Sequence, residues 1–252
     1  MPLFFVPPGQ VSSSGKVRIL DRDAWHISRV LRSRQGELVT VVVEDGLEHD
    51  VRLVSLSPEQ VTGVIVASRR ARREPRCRIH VLQGIPKGQG MSSVCEQLAE
   101  VGAHAIWPTL TERAVTRAAP QQMGPRRERW QAVAREAAQL AGRHRVPEVH
   151  GPRSLLAALE ALSAQEPNLQ ALVCHEAELR QGLSSVPWEA ERPTALLIGP
   201  EGGFSSGEVQ ALASRGARPV SLGPRNLHTT LAAVVAVTVL LSRAGDLEAQ
   251  GG

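Results

Sequence analysis

ALLIGPEGGFSSGEV, residues 195–209, runs from an apolar strand through Gly-Pro-Glu-Gly-Gly and straight into a helix. Ala195 to Ile198 has the unbroken apolar character of a buried strand, and Ser205-Ser206-Gly207-Glu208 carries the spacing of a capping box. Glycine-rich turns between strand and helix are where α/β proteins place ligands, because backbone N–H groups there can be turned toward them. Most such turns hold phosphate, and this one does not suit it. Phe204 follows Gly203 where a P-loop needs Gly-Lys, and the spacing is not that of a dinucleotide fingerprint. Glu201 would also repel a nearby pyrophosphate. A neutral or cationic ligand tolerates the carboxylate. The plain structural alternative is a tight turn in which the glycines supply positive φ and Glu201 caps the next helix.

VSLGPRNLHTTLAAVVAVTVLL, residues 220–241, repeats the arrangement of strand, Gly-Pro, irregular stretch and buried helix. Two such units about 24 residues apart suit neighbouring strands whose loops face one another across a cleft at the carboxyl ends of a sheet. S-adenosylmethionine, with its positive sulfonium and amino groups, is a ligand that such a carboxylate-bearing loop could accept.

Outward from these loops, apolar strand-like runs alternate with helical segments. The strands are read at 79–83, 104–110, 169–175, 195–198 and 219–222, and the helices at 93–101, 126–142, 154–162, 206–215 and 229–243. That alternation predicts an α/β domain with a parallel sheet covered on both faces. Residues 1 to about 68 differ. Short β-branched runs at 38–43, 51–56 and 61–66, separated by turns at Glu44-Asp45-Gly46 and Ser57-Pro58, predict a small β-barrel. One helical piece interrupts it, DAWHISRVLRSRQG, with Trp25, Ile27/Ser28 and Leu31 on one side and Arg29, Arg32 and Arg34 around the other. RRARREPRCR, residues 69–78, reads as a linker, so the expected division is a domain over 1–70 and another over 71–252.

The 252 residues are 42% apolar and 21% charged, an ordinary globular composition. The N-terminus lacks a signal-peptide pattern, and the longest apolar run, Leu231 to Leu241, is too short to span a bilayer, so a cytoplasmic protein without membrane attachment is expected. Cys77, Cys95 and Cys174 show no metal or disulfide spacing, and Cys95 and Cys174 fit buried positions; the eight histidines show no ligand spacing either, so no metal is expected. Charge is uneven: +4 over 1–78, +3 over 79–150 and −3 over 151–252. Six arginines crowd 69–78, and others run from Arg113 through Arg126, Arg127, Arg129 and Arg135 to Arg143 and Arg145. Such clusters attract a polyanion, and planar guanidinium groups suit phosphate. The alternative is a solvated linker and a solvated helix face.

The two Gly-Pro segments, together with KGQGMSSVCEQLAEVGAHAIWPTLTERAV (87–115), ERWQAVAREAAQLAGRHRVPEV (128–149) and HISRVLRSRQGELVTVVVEDG (26–46), resemble the RsmE family of bacterial 16S ribosomal RNA (uracil-N3)-methyltransferases, in the SPOUT superfamily. The resemblance covers nearly the whole chain. It implies a PUA-like RNA-binding barrel followed by a SPOUT α/β domain with a C-terminal trefoil knot, S-adenosylmethionine as cofactor, 16S rRNA of the small ribosomal subunit as partner, and a homodimer. The chain departs from the family at His228-Thr229-Thr230-Leu231, where members usually carry an Arg-Thr-x-Thr-like run, often with Glu at the position of Thr230. Cofactor contacts in the family come mostly from backbone, so binding should survive these changes. Two alternatives stay open: a SPOUT enzyme with another RNA target, and an inactive RNA-binding homologue.

On this reading the cofactor lies against His175, Leu197, Ile198, Gly199, Pro200, Glu201, Gly202, Gly203, Leu222, Gly223, Leu227 and Thr229. Uracil N3 must lose a proton around the time it attacks the methyl carbon, while charge builds on the carbonyl oxygens. Arg225 is expected to stabilise that charge and His228 to act as base or to position the ring, against the alternative that His228 only starts a helix. RNA contacts are expected from Arg22, Arg29, Arg32, Lys87, Arg113, Arg143 and Arg145. With no Tyr and three Phe, an aromatic base-stacking platform is not expected.

Overall fold

The computed structural model describes residues 1–43, 46–70, 73–114 and 123–248. Residues 44 and 45 of the expected turn, and 71 and 72 of the arginine-rich stretch, lie outside the described residues. The chain divides into two compact units, one made of Met1–Glu74 with Ala138–Val146 and the other of Pro75–Ala137 with Pro147–Gly252.

The first unit is a curled five-stranded sheet. Its strands are β1 (Leu3–Phe5), β2 (Lys16–Leu20), β3 (Leu38–Val42), β4 (Leu47–Leu56) and β5 (Gln60–Arg70), in the order β1-β3-β4-β5-β2. All pairs are antiparallel except β1 with β3. Two register shifts, at Asp50/Val51 and Leu53/Ser55, bend the long β4–β5 ribbon. Side chains of alternate residues then converge on one core of Phe4, Val17, Ile19, Val39, Val41, Val51, Leu53 and Val61, closed by Ile27. The expected runs become β3, β4 and β5; β1 and β2 are too short and mixed to be legible. Between β2 and β3 the chain forms α1 (Asp21–Trp25) and a π-helical turn, His26–Val30. The wider turn breaks the 3.6-residue period. Ile27 is buried, whereas Trp25 and Leu31 are exposed, so the apolar stripe expected there is split.

Residues 138–146 complete this unit. The Glu74 carboxylate accepts from Arg143 Nε (3.1 Å) and Nη2 (2.6 Å) and from the backbone N of His144 and Arg145. His144 Nε2 lies 2.6 Å from Glu48 Oε1, and Arg69 Nε lies 2.6 Å from Glu48 Oε2. Arg143 is therefore buried and ion-paired rather than available to RNA as the sequence reading expects. Two arginines of the 69–78 cluster are also ion-paired, though they stay exposed: Arg69 with Glu48 and Asp50, and Arg78 with Glu166. Charge that looks unopposed in sequence is answered by carboxylates distant along the chain.

The second unit contains α2 (Gly90–Val101), α3 (Met123–Leu140, whose last three residues pass into the first unit), α4 (Leu155–Gln165), α5 (Ser206–Ala213) and α6 (Thr229–Arg243). Its strands are β6 (Ile79–Gly84), β7 (Ala105–Leu110), β8 (Glu148–Val149), β9 (Arg153–Ser154), β10 (Gln170–Cys174), β11 (Thr194–Ile198) and β12 (Arg218–Val220). All pairs are parallel, in the order β12-β10-β11-β6-β7-β8 with β9 also on β7. Alternation sends Val81, Leu172, Leu196 and Ile198 to one face, with α2, α3 and α6. Leu82, Val173 and Leu197 go to the other, with α4 and α5. In α2, Met91, Val94, Cys95 and Leu98 form one buried stripe; in α6, Ala233, Ala236, Val237 and Leu240 do the same. Among the described residues no helix is long and apolar enough to cross a membrane.

Candidate active site

Three adjacent strands, β12, β10 and β11, end side by side, and their carboxyl-end loops surround a cavity of about 600 Å³. β11 delivers Gly199–Gly203, β12 delivers Ser221–His228, and β10 delivers His175 and Glu176. Parallel strands in neighbouring positions put these loops together because all leave the sheet in the same direction. The expected residues His175, Ile198, Gly199, Pro200, Glu201, Gly202, Gly203, Leu222, Gly223, Arg225, Leu227, His228 and Thr229 all line the cavity. Leu197 does not. It lies one step out of phase with Ile198, fully buried with Phe204 and Leu212 on the α4–α5 face.

The glycines are required by geometry. Gly203 has φ +65° and Gly223 φ +99°, both in the left-handed region. A Cβ on Gly203 would stand 2.6 Å from Glu176 Oε1, and one on Gly199 would stand 3.0 Å from the Gly203 Cα. On β6, Gly84 has a related role, since a Cβ there would meet Pro200 at 2.5 Å.

The 199–203 turn is held from outside by contacts the sequence reading did not expect. Glu201 Oε1 accepts from the backbone N of Lys87 at 3.0 Å, and Arg113 Nη1 donates to the Gly202 carbonyl at 3.0 Å. Glu201 therefore braces the 86–90 loop and does not cap the following helix. α5 is capped by Ser205, with Glu208 completing the box and also accepting from the backbone N of Glu112. Beneath the turn, Gln83 Nε2 donates to Thr229 Oγ1 at 2.9 Å, and the Thr229 hydroxyl donates to the Gly199 carbonyl. This chain joins β6, the first Gly-Pro loop and the start of α6. Gln83 is fully buried inside an apolar run, and an amide in that position is the one sequence signal that could have marked it.

The cavity's chemistry is mixed. Ile198, Leu222, Leu227 and Ala232 offer apolar surface, the two loops offer backbone polar groups, and Glu176 adds an exposed carboxylate beside His175 (Nδ1 to Oε2, 3.2 Å). Glu176 was not among the expected residues. Apolar wall, loop backbone and a carboxylate fit a ligand with an apolar part and a positive charge. His228 precedes the first residue of α6 without a side-chain cap, and its Nδ1 is 3.0 Å from Thr230 Oγ1. Its carbonyl accepts from Ala232 N at 2.8 Å, the first backbone bond of α6, so His228 also holds the helix-starting place that the plain alternative gives it. Cys174 also lines the cavity, but burial pushes its thiol up to about 12, and burial likewise raises Cys77 and Cys95. None of them is a thiolate nucleophile.

Of the residues expected to meet RNA, Lys87 and Arg113 are exposed in the second unit, beside the 199–203 turn. Arg22, Arg29, Arg32 and Arg145 are exposed in the first unit, and Arg143 is not.

The chain resembles proteins whose site is known. The RNA methyltransferase domain family matches residues 72–241. The ribosomal RNA small subunit methyltransferase E of Mycobacterium bovis is 32% identical over 96% of this chain and 92% of its own. That of Bacillus subtilis is 28% identical over 92% and 91%. The crystal structure of a ribosomal RNA small subunit methyltransferase E from Neisseria gonorrhoeae, bound to S-adenosyl methionine, superimposes with a TM-score of 0.85 at 26% identity, covering 96% of this chain and 98% of that one. With this match along nearly its whole length, the chain belongs to the ribosomal RNA small subunit methyltransferase E family of RNA methyltransferases.

Proposed function

We propose that this protein is an S-adenosylmethionine-dependent methyltransferase that acts on N3 of a uridine in 16S rRNA of the small ribosomal subunit, in the cytoplasm and as a homodimer. One observation carries the reading: the three adjacent strand ends bring two Gly-Pro loops and His175-Glu176 around a single cavity, in a chain of this family. Residues 198–203 and 221–229 would hold the cofactor, which when bound supplies an electrophilic methyl group. Glu176 suits its positive charge, because the Glu201 carboxylate is already engaged by Lys87 N–H.

The chain's own residues must then place the uracil, take the N3 proton and offset charge on the flanking carbonyl oxygens. His228 serves as base when Nδ1–H donates to Thr230 Oγ1, which leaves the lone pair on Nε2. Arg225, exposed on the same loop, supplies the positive charge. Domain roles follow the same reading: a PUA-like barrel over 1–70 binds RNA through Arg22, Arg29 and Arg32, and a knotted SPOUT domain over 71–252 adds Lys87, Arg113 and Arg145, the last on the segment that packs with the barrel. Recognition through phosphate and shape, with the base flipped toward the cavity, suits arginines without an aromatic sheet surface. The knot is proposed from membership of this family.

The test offers purified protein and labelled S-adenosylmethionine two substrates: small subunits from cells lacking this methylation, and naked 16S RNA. A single N3-methyluridine located by mass spectrometry is the expected result. Cofactor binding without methylation of either substrate would overturn the catalytic reading, and wild-type rates from His228→Ala would remove the base.

A further inference from the structure

At the amino ends of the strands, opposite the cavity, three metal-ligating side chains meet that are scattered in sequence. β6 and β7 pair His80 with Ala105, so His80 and His104 stand next to each other where the strands begin. His104 is fixed there by its backbone N, which donates to the Ile79 carbonyl at 2.8 Å. Glu166 follows the last residue of α4, anchored by its own N–H to the Leu162 carbonyl. His80 Nε2 lies 3.3 Å from Glu166 Oε1, and the two imidazole rings are 4.8 Å apart between centroids. One ligand atom from each of the three lies within 4.8 Å of the other two.

These numbers suit a small divalent ion. Ligands about 2.0–2.1 Å from a tetrahedral metal stand about 3.3 Å from each other, which is the spacing already present between His80 and Glu166. His104, half-buried, has to close by up to about 1.5 Å, within reach of a ring rotation. The His80 and Glu166 side chains are only 6% and 13% exposed, so an ion there would be shielded from water on those sides and reach it on the side of half-buried His104. Arg78 Nη1 straddles the carboxylate, 3.1 Å from Glu166 Oε1 and 3.0 Å from Oε2, so it orients the group, competes with an ion for Oε1 and lowers affinity by its charge. Two imidazoles and one carboxylate select zinc, cobalt or nickel over magnesium and calcium, which want oxygen.

We propose that His80, His104 and Glu166 form a binding site for a divalent cation of the zinc class, with a fourth position open to solvent, that ties the end of α4 to β6 and β7. The expectation of no metal rested on spacing along the chain; parallel pairing supplies the proximity instead. The site is independent of the methyl-transfer reading. It is tested on the full chain, stripped with chelator and titrated with Zn²⁺ by calorimetry and with Co²⁺ by visible absorption. One equivalent, an intense tetrahedral Co²⁺ spectrum and a raised melting temperature with Zn²⁺ are expected. His104→Ala and Glu166→Gln should each weaken binding by ~10-fold or more while the metal-free proteins still melt cooperatively. Arg78→Gln should tighten it, and His228→Ala at the cavity should leave it unchanged. Undiminished binding in both His104→Ala and Glu166→Gln, or no saturable equivalent in the wild type, would overturn the proposal.

Discussion

Thr229 ties three segments together with a single hydroxyl, accepting from Gln83 and donating to the Gly199 carbonyl while 5% exposed. Thr229→Val keeps the shape and leaves an amide hydrogen and a carbonyl without partners, at about 1–3 kcal/mol for each buried group. A loss of roughly 2–4 kcal/mol in urea unfolding is expected, most of it restored in Thr229→Ser, and an unchanged midpoint for the valine variant would refute the assignment. Gly203 offers a second test. Alanine there meets both the left-handed φ, costing about 1–2 kcal/mol, and the Glu176 carboxylate. We expect calorimetry to show cofactor affinity reduced by ~10-fold or more, since either the turn or Glu176 must shift. Gly203→Ala combined with Glu176→Ala should recover only part, because the backbone strain stays. Both loops were legible in sequence from their glycines and prolines. Gln83 and Glu176 were not, since a buried amide inside an apolar run and a loop carboxylate look alike on any face until the fold positions them.

Among the elements, the β4–β5 ribbon shows how charge is used. Glu48 lies on β4, buried among His144, Arg69 and Arg73. Burial alone would raise its carboxyl, but the His144 hydrogen bond and the two arginine charges outweigh that and hold it below the ordinary carboxylate range. A depressed folded value means the contribution is complete above the unfolded value of about 4.3 and disappears as pH falls through the folded one. Protection factors of β4 and β5 amides, corrected for intrinsic exchange, should therefore fall below about pH 4.3, and Glu48→Gln should flatten that acid limb while lowering protection at pH 7. An equally steep limb in the variant would place the acid sensitivity elsewhere. Elements of five residues or more in the second unit were legible because strand and helix periods differ. The two-residue β8 and β9 carry no period to read, and the π-helical turn at His26–Val30 defeated a stripe drawn on 3.6 residues.

The whole molecule is not two consecutive blocks. Residues 138–146 belong with Met1–Glu74, joined through Glu74–Arg143, Glu48–His144 and a small apolar cluster of Leu3, Phe5, Val42, Ala138 and Val146. Read linearly, the arginine-rich stretch marks a boundary; the return of a nine-residue segment cannot be seen, because only tertiary pairing assigns Arg143 to Glu74. A fragment ending at Glu74 should accordingly expose Leu3 and Phe5 and leave the buried Glu48 without His144. It is expected to unfold at clearly lower urea than the same fragment carrying 138–146 on a flexible linker, as followed by circular dichroism. Equal midpoints would show that the segment only rests there.

That split has a consequence in time. During synthesis the first 74 residues leave the exit tunnel well before their missing piece exists, and 72 more must be added before Val146 appears. At about 5–20 residues per second the nascent sheet waits roughly 4–14 seconds with Glu48 lacking His144 and with Glu74 and an apolar edge unanswered. Over that interval chaperone capture competes with closure, and the speed of translation through codons 75–146 becomes a determinant of yield.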